Sequence, residues 1–443
     1  MTPGGAAAQG ARLTDDEVRS KIEARLAPQG TPGAVVGIRE ADGTRRFFAW
    51  GTAGQGRDPL SGGSVFEIGS ISKAFNGLLM AEMVAAGDVS LDDAITRWLP
   101  EGVEPVPHGR SITLEDLATH RSGLQRLPGN LQIADASDPY AAYTEADLWD
   151  FLDGHSPARE PGAAYEYSNL GGGLAGHLLA RAGGAEWEAL LRERVLSPLG
   201  MDQTGTDLGW PESRRVAAHD LAGREVPWWH FPTLTATGGL RSTADDLFRL
   251  LDALAAPPQG TLGEAVREST RPRADAGDGM RIGLLWHVVE IGDRTVVWHD
   301  GGTGGSRTIL GFDPDSGEGV FVLTNSAHGA DDLALHLLEP TVPLQLPEPR
   351  GDAVSVDAEV LAKYVGTYRF GPQFAIEVTV DGGSVVVQAT GQPAFPTIAE
   401  SETRFRLQGV EAAVSFEVDD SGRAVALILH QGGRSQRAPR AGG

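Results

Sequence analysis

The chain has no cysteine among its 443 residues, which removes disulfides, thiolate nucleophiles and cysteine-ligated zinc together. It has no run of about 18 consecutive apolar residues, so no membrane-spanning helix is encoded. The opening MTPGGAAAQGARLTDDEV lacks a basic segment followed by an apolar core, the pattern of an export signal, and the expected location is the cytoplasm. Positive charge is scarce too: 37 basic residues face 60 acidic ones, for a formal charge of −23. No basic cluster is dense enough to offset that against a phosphate backbone or an anionic lipid surface, so neither nucleic acid nor membrane is an expected partner. Gly-x-Ser-x-Gly and His-Glu-x-x-His are also missing, which excludes a nucleophile elbow and a zinc-protease helix.

Within the small basic complement, lysine has almost vanished. Lys21, Lys73 and Lys363 are the only ones, and the other 34 basic residues are arginine. Lys73 lies in FEIGSISKAF, three residues after Ser70. Lysine differs from arginine in being able to lose its proton when buried or crowded by charge. The spacing puts both side chains on one face of a helix, where a neutral amine can take the serine's proton. The structural reading of a lone Ser-x-x-Lys is a cap followed by a solvated face. Here the pair occurs once and sits among Phe66, Ile68, Ile71 and Phe75, as a buried site would.

Length and composition predict two units. Thr14 and Glu17 form a capping-box signature that starts a helix running to about Pro28. GAVVGIRE and RRFFAWG read as a hairpin. The pattern from Ile71 to Ala86 is helical and stops at Gly87. Residues from about 90 to 275 read mostly as helices, after which IGLLWHVVEIG, RTVVWH, SRTILGFD and GVFVLTN read as strands. The expected class is α+β: one antiparallel sheet with flanking helices and a helical lobe. A last helix near 330 to 339 precedes a Pro-rich linker, and short alternating runs beyond Leu361 predict a small antiparallel β-barrel. The expected boundaries are 1–12 for a flexible start, 13–341 for the first domain, 342–356 for the linker and 357–443 for the barrel.

Two further elements bear chemistry. Tyr167-Ser168-Asn169 is the only Tyr-x-Asn in the chain; its structural reading is a buried tyrosine and an asparagine capping the helix of LGGGLAGHLL. His299-Asp300-Gly301, followed by Gly302, ends a strand, and its structural reading is a turn with an incidental histidine. WWHFP offers Trp228 and Trp229 as substrate-lining residues, although a structural aromatic cluster is the simpler use.

Taken together, Ser-x-x-Lys, Tyr-x-Asn and His-x-Gly resemble the serine hydrolases with the penicillin-binding-protein and class C β-lactamase fold. ITLEDLATHRSGL, PGAAYEYSN, LSPLGMDQT, TGGLRSTADDL and GFDPDSGEGVFVLTN resemble that family's spacer segments in order. LAKYVGTYRF through HQGGRSQRAP resembles the lipocalin-like domain that some members append. The resemblance implies Ser70 as acylated nucleophile, Lys73 as its base, Tyr167 as proton carrier and Asn169 as support for Lys73 and the substrate amide. It implies an oxyanion hole of the Ser70 and Gly302 N–H groups, with Gly301 beside the substrate. It calls for no cofactor and no metal. His299 stands where many members have the lysine of a Lys-Thr-Gly triplet, and the His-x-Gly form resembles esterases, D-amino-acid peptidases and peptide-cyclising thioesterases. With the barrel and the missing export signal, the leading expectation is a stand-alone thioesterase that macrocyclises a nonribosomal peptidyl thioester or ester presented by a carrier protein. The alternatives are a cytoplasmic D-peptidase or carboxylesterase, and a catalytically silent peptide-binding module.

Overall fold

The computed structural model describes residues 12–346, 353–371, 374–390, 394–408, 412–431 and 434–441. The chain divides into two compact units, the second made of the chain from Gln345 onward together with Ala24–Gly30 and Asp220–Arg224.

The helices of the first unit are α1 (Asp15–Leu26), α2 (Ile71–Ala86), α3 (Leu114–Ala118), α4 (Glu145–Leu152), α5 (Asn169–Gly183), α6 (Trp187–Leu191), α7 (Thr235–Gly238), α8 (Ala244–Ala255), α9 (Thr261–Thr270) and α10 (Asp331–Leu338). Its strands are β1 (Gly33–Arg39), β2 (Arg45–Gly51), β3 (Val65–Glu67), β4 (Ala218–His219), β5 (Glu225–Val226), β6 (Arg241–Thr243), β7 (Ala274–Gly277), β8 (Met280–Ile282), β9 (His287–Ile291), β10 (Arg294–Gly302), β11 (Arg307–Phe312) and β12 (Gly319–Thr324). Eight of them form one antiparallel sheet in the order β2-β1-β12-β11-β10-β9-β8-β7. The early hairpin and the late strands thus meet across β1 and β12, with Val36 opposite Val322, and the helical residues between them form an insertion.

Every residue of β1 and β12 is buried, because α8 packs on β1 and α10 packs on β11 and β12. The apolar side of α8 (Leu247, Phe248, Leu250, Leu251, Leu254) faces inward, and Phe248 meets Phe321 edge-on at 4.9 Å. Such a helix is held by burial of one face more than by intrinsic propensity.

α2 runs through the middle of this unit, with all of Ile71–Met83 buried. It ends as the sequence predicts, on Gly87 in the left-handed region (φ 82°). IGLLWHVVEIG, in contrast, is broken: Ile282 ends β8 and the next strand starts only at His287. Gly77 explains the break: a β-carbon there would lie 1.8 Å from the Leu284 carbonyl oxygen, so the helix is packed directly against the 284 main chain.

The second unit is a nearly closed barrel of eight antiparallel strands, β13 (Gly366–Arg369), β14 (Ala375–Asp381), β15 (Ser384–Ala389), β16 (Ala394–Ala399), β17 (Arg404–Leu407), β18 (Ala412–Val418), β19 (Ala424–Gln431) and β20 (Arg434–Pro439), paired in chain order. A bridge from Tyr368 to Arg440 draws the last strand toward the first. Tyr364, Tyr368, Phe405 and Phe416 fill the interior, with Tyr364 stacked on Phe416 at 4.5 Å.

Candidate active site

Ser70 is delivered by a turn between β3 and α2. Gly69 adopts φ +50°, which L side chains avoid, and the turn is pressed onto the end of β10. A β-carbon on Gly301 would meet the Ile68 carbonyl at 2.0 Å, and that carbonyl already accepts the Thr308 hydroxyl at 2.9 Å. Ser70 occupies the cap position of α2 but its side chain does not cap the helix, giving up a bond that typically stabilises by about 1 kcal/mol. Its hydroxyl is committed elsewhere.

That partner is Lys73. The amine is completely buried, 3.0 Å from Ser70 Oγ and 2.7 Å from the Thr237 carbonyl oxygen, and 4.8 Å from the centre of the Tyr167 ring. Burial holds its pKa well below the usual lysine value; Asp300 opposes the effect and Arg126 adds to it. A neutral amine donates to the Thr237 carbonyl and turns its lone pair toward the serine hydroxyl, which is the arrangement of a base.

The burial is built by α5. Gly172 faces Lys73, and a β-carbon there would lie 3.3 Å from Lys73 Cε and 2.9 Å from Thr237 Oγ1. Glycine inside a helix is destabilising, and here it lets α5 close over the lysine. Asn76, one turn beyond Lys73, donates to the Gly172 carbonyl at 3.0 Å and accepts the Trp187 indole N–H at 2.9 Å.

Tyr167 sits just before α5. Burial, first, keeps its phenol pKa above the ordinary value, although a hydrogen bond with the Ser70 side chain works against this. The hydroxyl therefore stays protonated and can donate. The cap of α5 is Ser168, whose hydroxyl accepts the Gly171 N–H at 2.8 Å; Asn169 is the first helical residue, so the asparagine-cap reading of YEYSN is corrected. Asn169 reaches Lys73 at one remove: its carbonyl accepts the Thr237 hydroxyl at 3.0 Å, and Thr237 holds the lysine. Its side-chain Oδ1 is buried without a hydrogen-bond partner.

Three buried histidines surround Tyr167: the ring centres of His120, His287 and His299 lie 4.6, 6.3 and 6.3 Å from its own. Burial lowers the pKa of each, so all three favour the neutral form. His299 Nδ1 is 2.6 Å from the Asp300 carbonyl oxygen, which makes Nδ1 the donor and leaves Nε2 a bare acceptor, buried without a hydrogen-bond partner. His120 has φ +53° and its Nδ1 accepts the Ser168 N–H at 3.2 Å. His287 Nε2 lies 3.0 Å from the Tyr165 hydroxyl. Among the described residues no group of three or more acidic or histidine side chains is arranged to hold a metal ion.

β10 forms the facing wall. β9 pairs with it only as far as Trp298, so among the described residues His299–Gly302 pair with β11 alone. Thr303 N–H bonds the Ser306 carbonyl across the β11 side, and successive residues of an antiparallel strand point their N–H groups to opposite sides. The Gly302 N–H thus points away from β11. A β-carbon on Gly69 would lie 2.6 Å from that nitrogen, which brings it close to Ser70, whose own N–H has no acceptor within the helix it caps.

The two tryptophans part company. Trp229 joins Tyr140 and Phe231 in an aromatic cluster, with centres 5.6 and 6.1 Å from its own, and lies against Gly304 after β10. Trp228 is tied to the Val216 carbonyl at 3.1 Å and lies under Arg215 and Arg241, so the structure does not bring it to Ser70. One cavity of about 680 Å³ is lined by residues such as Gly173, Trp187, Phe231 and Ala236 and includes none of Ser70, Lys73 or Tyr167. Sequence reasoning missed Thr237, His120, His287 and Arg126. The glycine triplet at 171–173 was the available signal, since only a close approach justifies it inside a helix.

This fold and this site define a serine hydrolase of the β-lactamase and penicillin-binding-protein type. The chain matches the Beta-lactamase family over residues 18–340 and belongs to it; residues 350–439 match a second family, described as a domain of unknown function (DUF3471). It is 25% identical to penicillin-binding protein 4* of Bacillus subtilis over 86% of this chain and 89% of that one. It is 26% identical to the D-alanyl-D-alanine-carboxypeptidase/endopeptidase AmpH of Escherichia coli over 73% of this chain and 91% of that one. The structure of a β-lactamase/D-alanine carboxypeptidase from Pseudomonas syringae shares the fold with a TM-score of 0.65 at 21% identity, covering 74% of this chain and 98% of its own. Among the described residues no helix is long and apolar enough to cross a membrane.

Proposed function

We propose that the protein cleaves peptide-type esters, thioesters or amides through an acyl-enzyme on Ser70, and that water resolves it, as in a D-amino-acid peptidase or esterase. The observation that carries the reading is the sealed, deprotonation-prone amine of Lys73 at 3.0 Å from Ser70 Oγ. In acylation Ser70 Oγ bonds the carbonyl carbon and its proton passes to Lys73. The N–H groups of Ser70 and Gly302 receive the developing oxyanion. The bond to the leaving group then breaks as that group takes the Tyr167 proton, and the proton on Lys73 restores Tyr167. Deacylation runs the same transfers with water in place of the leaving group. The stretch His299–Gly302, paired among the described residues on the β11 side only, offers a strand edge to an extended substrate, with Gly301 and Trp229 beside it. The hydrolytic reading is supported by the relatives, one of which is named a carboxypeptidase and endopeptidase.

A second reading has the substrate's own amine as acceptor, giving a macrocycle from a peptidyl thioester delivered by a carrier protein. It is favoured by the triplet itself: His299-Asp300-Gly301 replaces a lysine and a threonine with a neutral ring and a carboxylate, and a carboxylate can hold an incoming ammonium group. One experiment separates the readings. A peptidyl thioester with D-residues at its ends is offered and the product weighed: linear acid supports hydrolysis, loss of thiol without gain of water supports cyclisation. A fluorophosphonate adduct that Ser70→Ala abolishes supports both; an intact protein with no adduct identifies a silent binding module and overturns the proposal.

A further inference from the structure

His299–Gly302 of β10 carry no positive side chain, and Arg307 on β11, whose Nη1 would lie 2.7 Å from a β-carbon on Gly302, donates to the Thr303 and Ser306 carbonyls. His299 is neutral, and Asp300, with a side chain 47% exposed, adds a negative one. A second cation lies on another element, beside Tyr167. Arg126 places its guanidinium carbon 5.0 Å from the centre of the Tyr167 ring. It is exposed, and among the described residues its side chain meets no carboxylate and makes no hydrogen bond.

The main chain beneath it is fixed. The Arg126 carbonyl accepts the N–H groups of Asn169 at 2.9 Å and Leu170 at 3.1 Å, and the adjoining Gln125 carbonyl accepts the Ser168 hydroxyl at 2.7 Å. Three bonds thus lock the segment bearing Arg126 to the segment bearing Tyr167. The guanidinium is also close enough to the reacting groups for its field to push the Lys73 and Tyr167 pKa values down.

We propose that Arg126 binds a carboxylate carried by the leaving group of the substrate. The assignment rests on the acyl-enzyme reading above, because Tyr167 there hands its proton to the departing group. Whatever that group carries leaves past the Tyr167 ring and meets the guanidinium of Arg126, which among the described residues has no carboxylate partner. A carboxylate on the β10 side would instead meet Asp300 and an Arg307 whose Nη1 already serves two carbonyls. A guanidinium suits the task because its planar donors match two carboxylate oxygens.

The test uses two acetylglycyl thioesters, one of thioglycolic acid and one of thioglycolamide, which differ in a single leaving-group charge. The wild type is expected to prefer the acid by about tenfold in kcat/KM at low salt, the size of a charge-assisted hydrogen bond, and to lose the preference as salt rises. Arg126→Gln is expected to bring the ratio near one, and Arg126→Lys to keep part of it. Any change in Lys73 basicity falls on both substrates and cancels in the ratio. A wild-type ratio of one, or a ratio that Arg126→Gln leaves unchanged, overturns the assignment. Calorimetry on Ser70→Ala protein provides an arm without turnover: acetylglycyl-D-alanine should bind more tightly than its amide, and the difference should vanish in Ser70→Ala/Arg126→Gln. Equal affinities overturn the proposal. Preference for the acid through Arg126 with no acylation of the wild type by either thioester sustains the carboxylate site and fails the acyl-enzyme reading alone.

Discussion

Gly69 and Gly302 touch across the gap between the turn bearing Ser70 and the strand facing it: a β-carbon on the first would stand 2.6 Å from the amide nitrogen of the second. Two independent constraints therefore fall on one residue, the positive φ of Gly69 and its closeness to a backbone donor.

Gly69→Ala is expected to cost about 1 to 3 kcal/mol of stability from the strained backbone and, by pushing the Gly302 N–H out of line, to lower kcat by about 10²-fold. Thermal melting and ester turnover on the folded fraction measure the two losses separately. A variant with full turnover would show that Gly302 does not serve the oxyanion.

Lys73→Met tests the neutral amine. Burial depresses the folded-state pKa, so the folded chain rejects a proton that the unfolded chain keeps, and the lysine's contribution to stability rises only as pH climbs toward the ordinary lysine value. At neutral pH the lysine costs stability. Methionine, of similar shape, should leave the melting temperature unchanged or raise it while turnover falls by about 10²–10⁴-fold. In the wild type kcat/KM should rise with pH through the Lys73 titration and reach its plateau well below the pH an exposed lysine would need. A plateau reached only near the ordinary lysine value would exclude this amine as the base.

Glu67 gives a pH dependence of opposite sign. It is buried, accepts the Trp229 N–H and the Thr303 hydroxyl at 2.8 Å each, and burial, tempered by Arg241, pushes its carboxyl up from 4.5 to about 7. The folded state therefore holds a proton that the unfolded state releases, and this contribution is full below about 4.5 and lost as pH rises to about 7. The difference corresponds to about 3 kcal/mol. Glu67→Gln keeps the acceptor for Trp229 and cannot ionise, so its melting temperature should be flatter than the wild type's across that window and higher above it. Parallel curves for the two proteins would show that Glu67 does not titrate there.

Much of this was legible in the sequence because it rests on local signals. The Thr14–Glu17 box, the stop at Gly87 and the hairpin at 33–51 are set by residues a few positions apart, and the structure has each. Ser70, Lys73 and Tyr167 are singled out by spacing and rarity visible along the chain, and the structure brings them together. Thr237 and the histidine cluster are not singled out this way, since a carbonyl 164 residues from Lys73 leaves no trace in local pattern. Trp228 and Trp229 show the same limit within two residues: neighbours in sequence, they are drawn apart by Val216, 12 residues from the first, and by Glu67, 162 residues from the second.

A chain with three lysines has almost no primary amines to spare. Lysine supplied during growth with carbon-13 at Cε, which crowds the spectrum of most proteins of this size, would here leave so few resonances that the one sealed inside the fold stands out. Its protonation can then be followed directly by magnetic resonance, with no turnover needed.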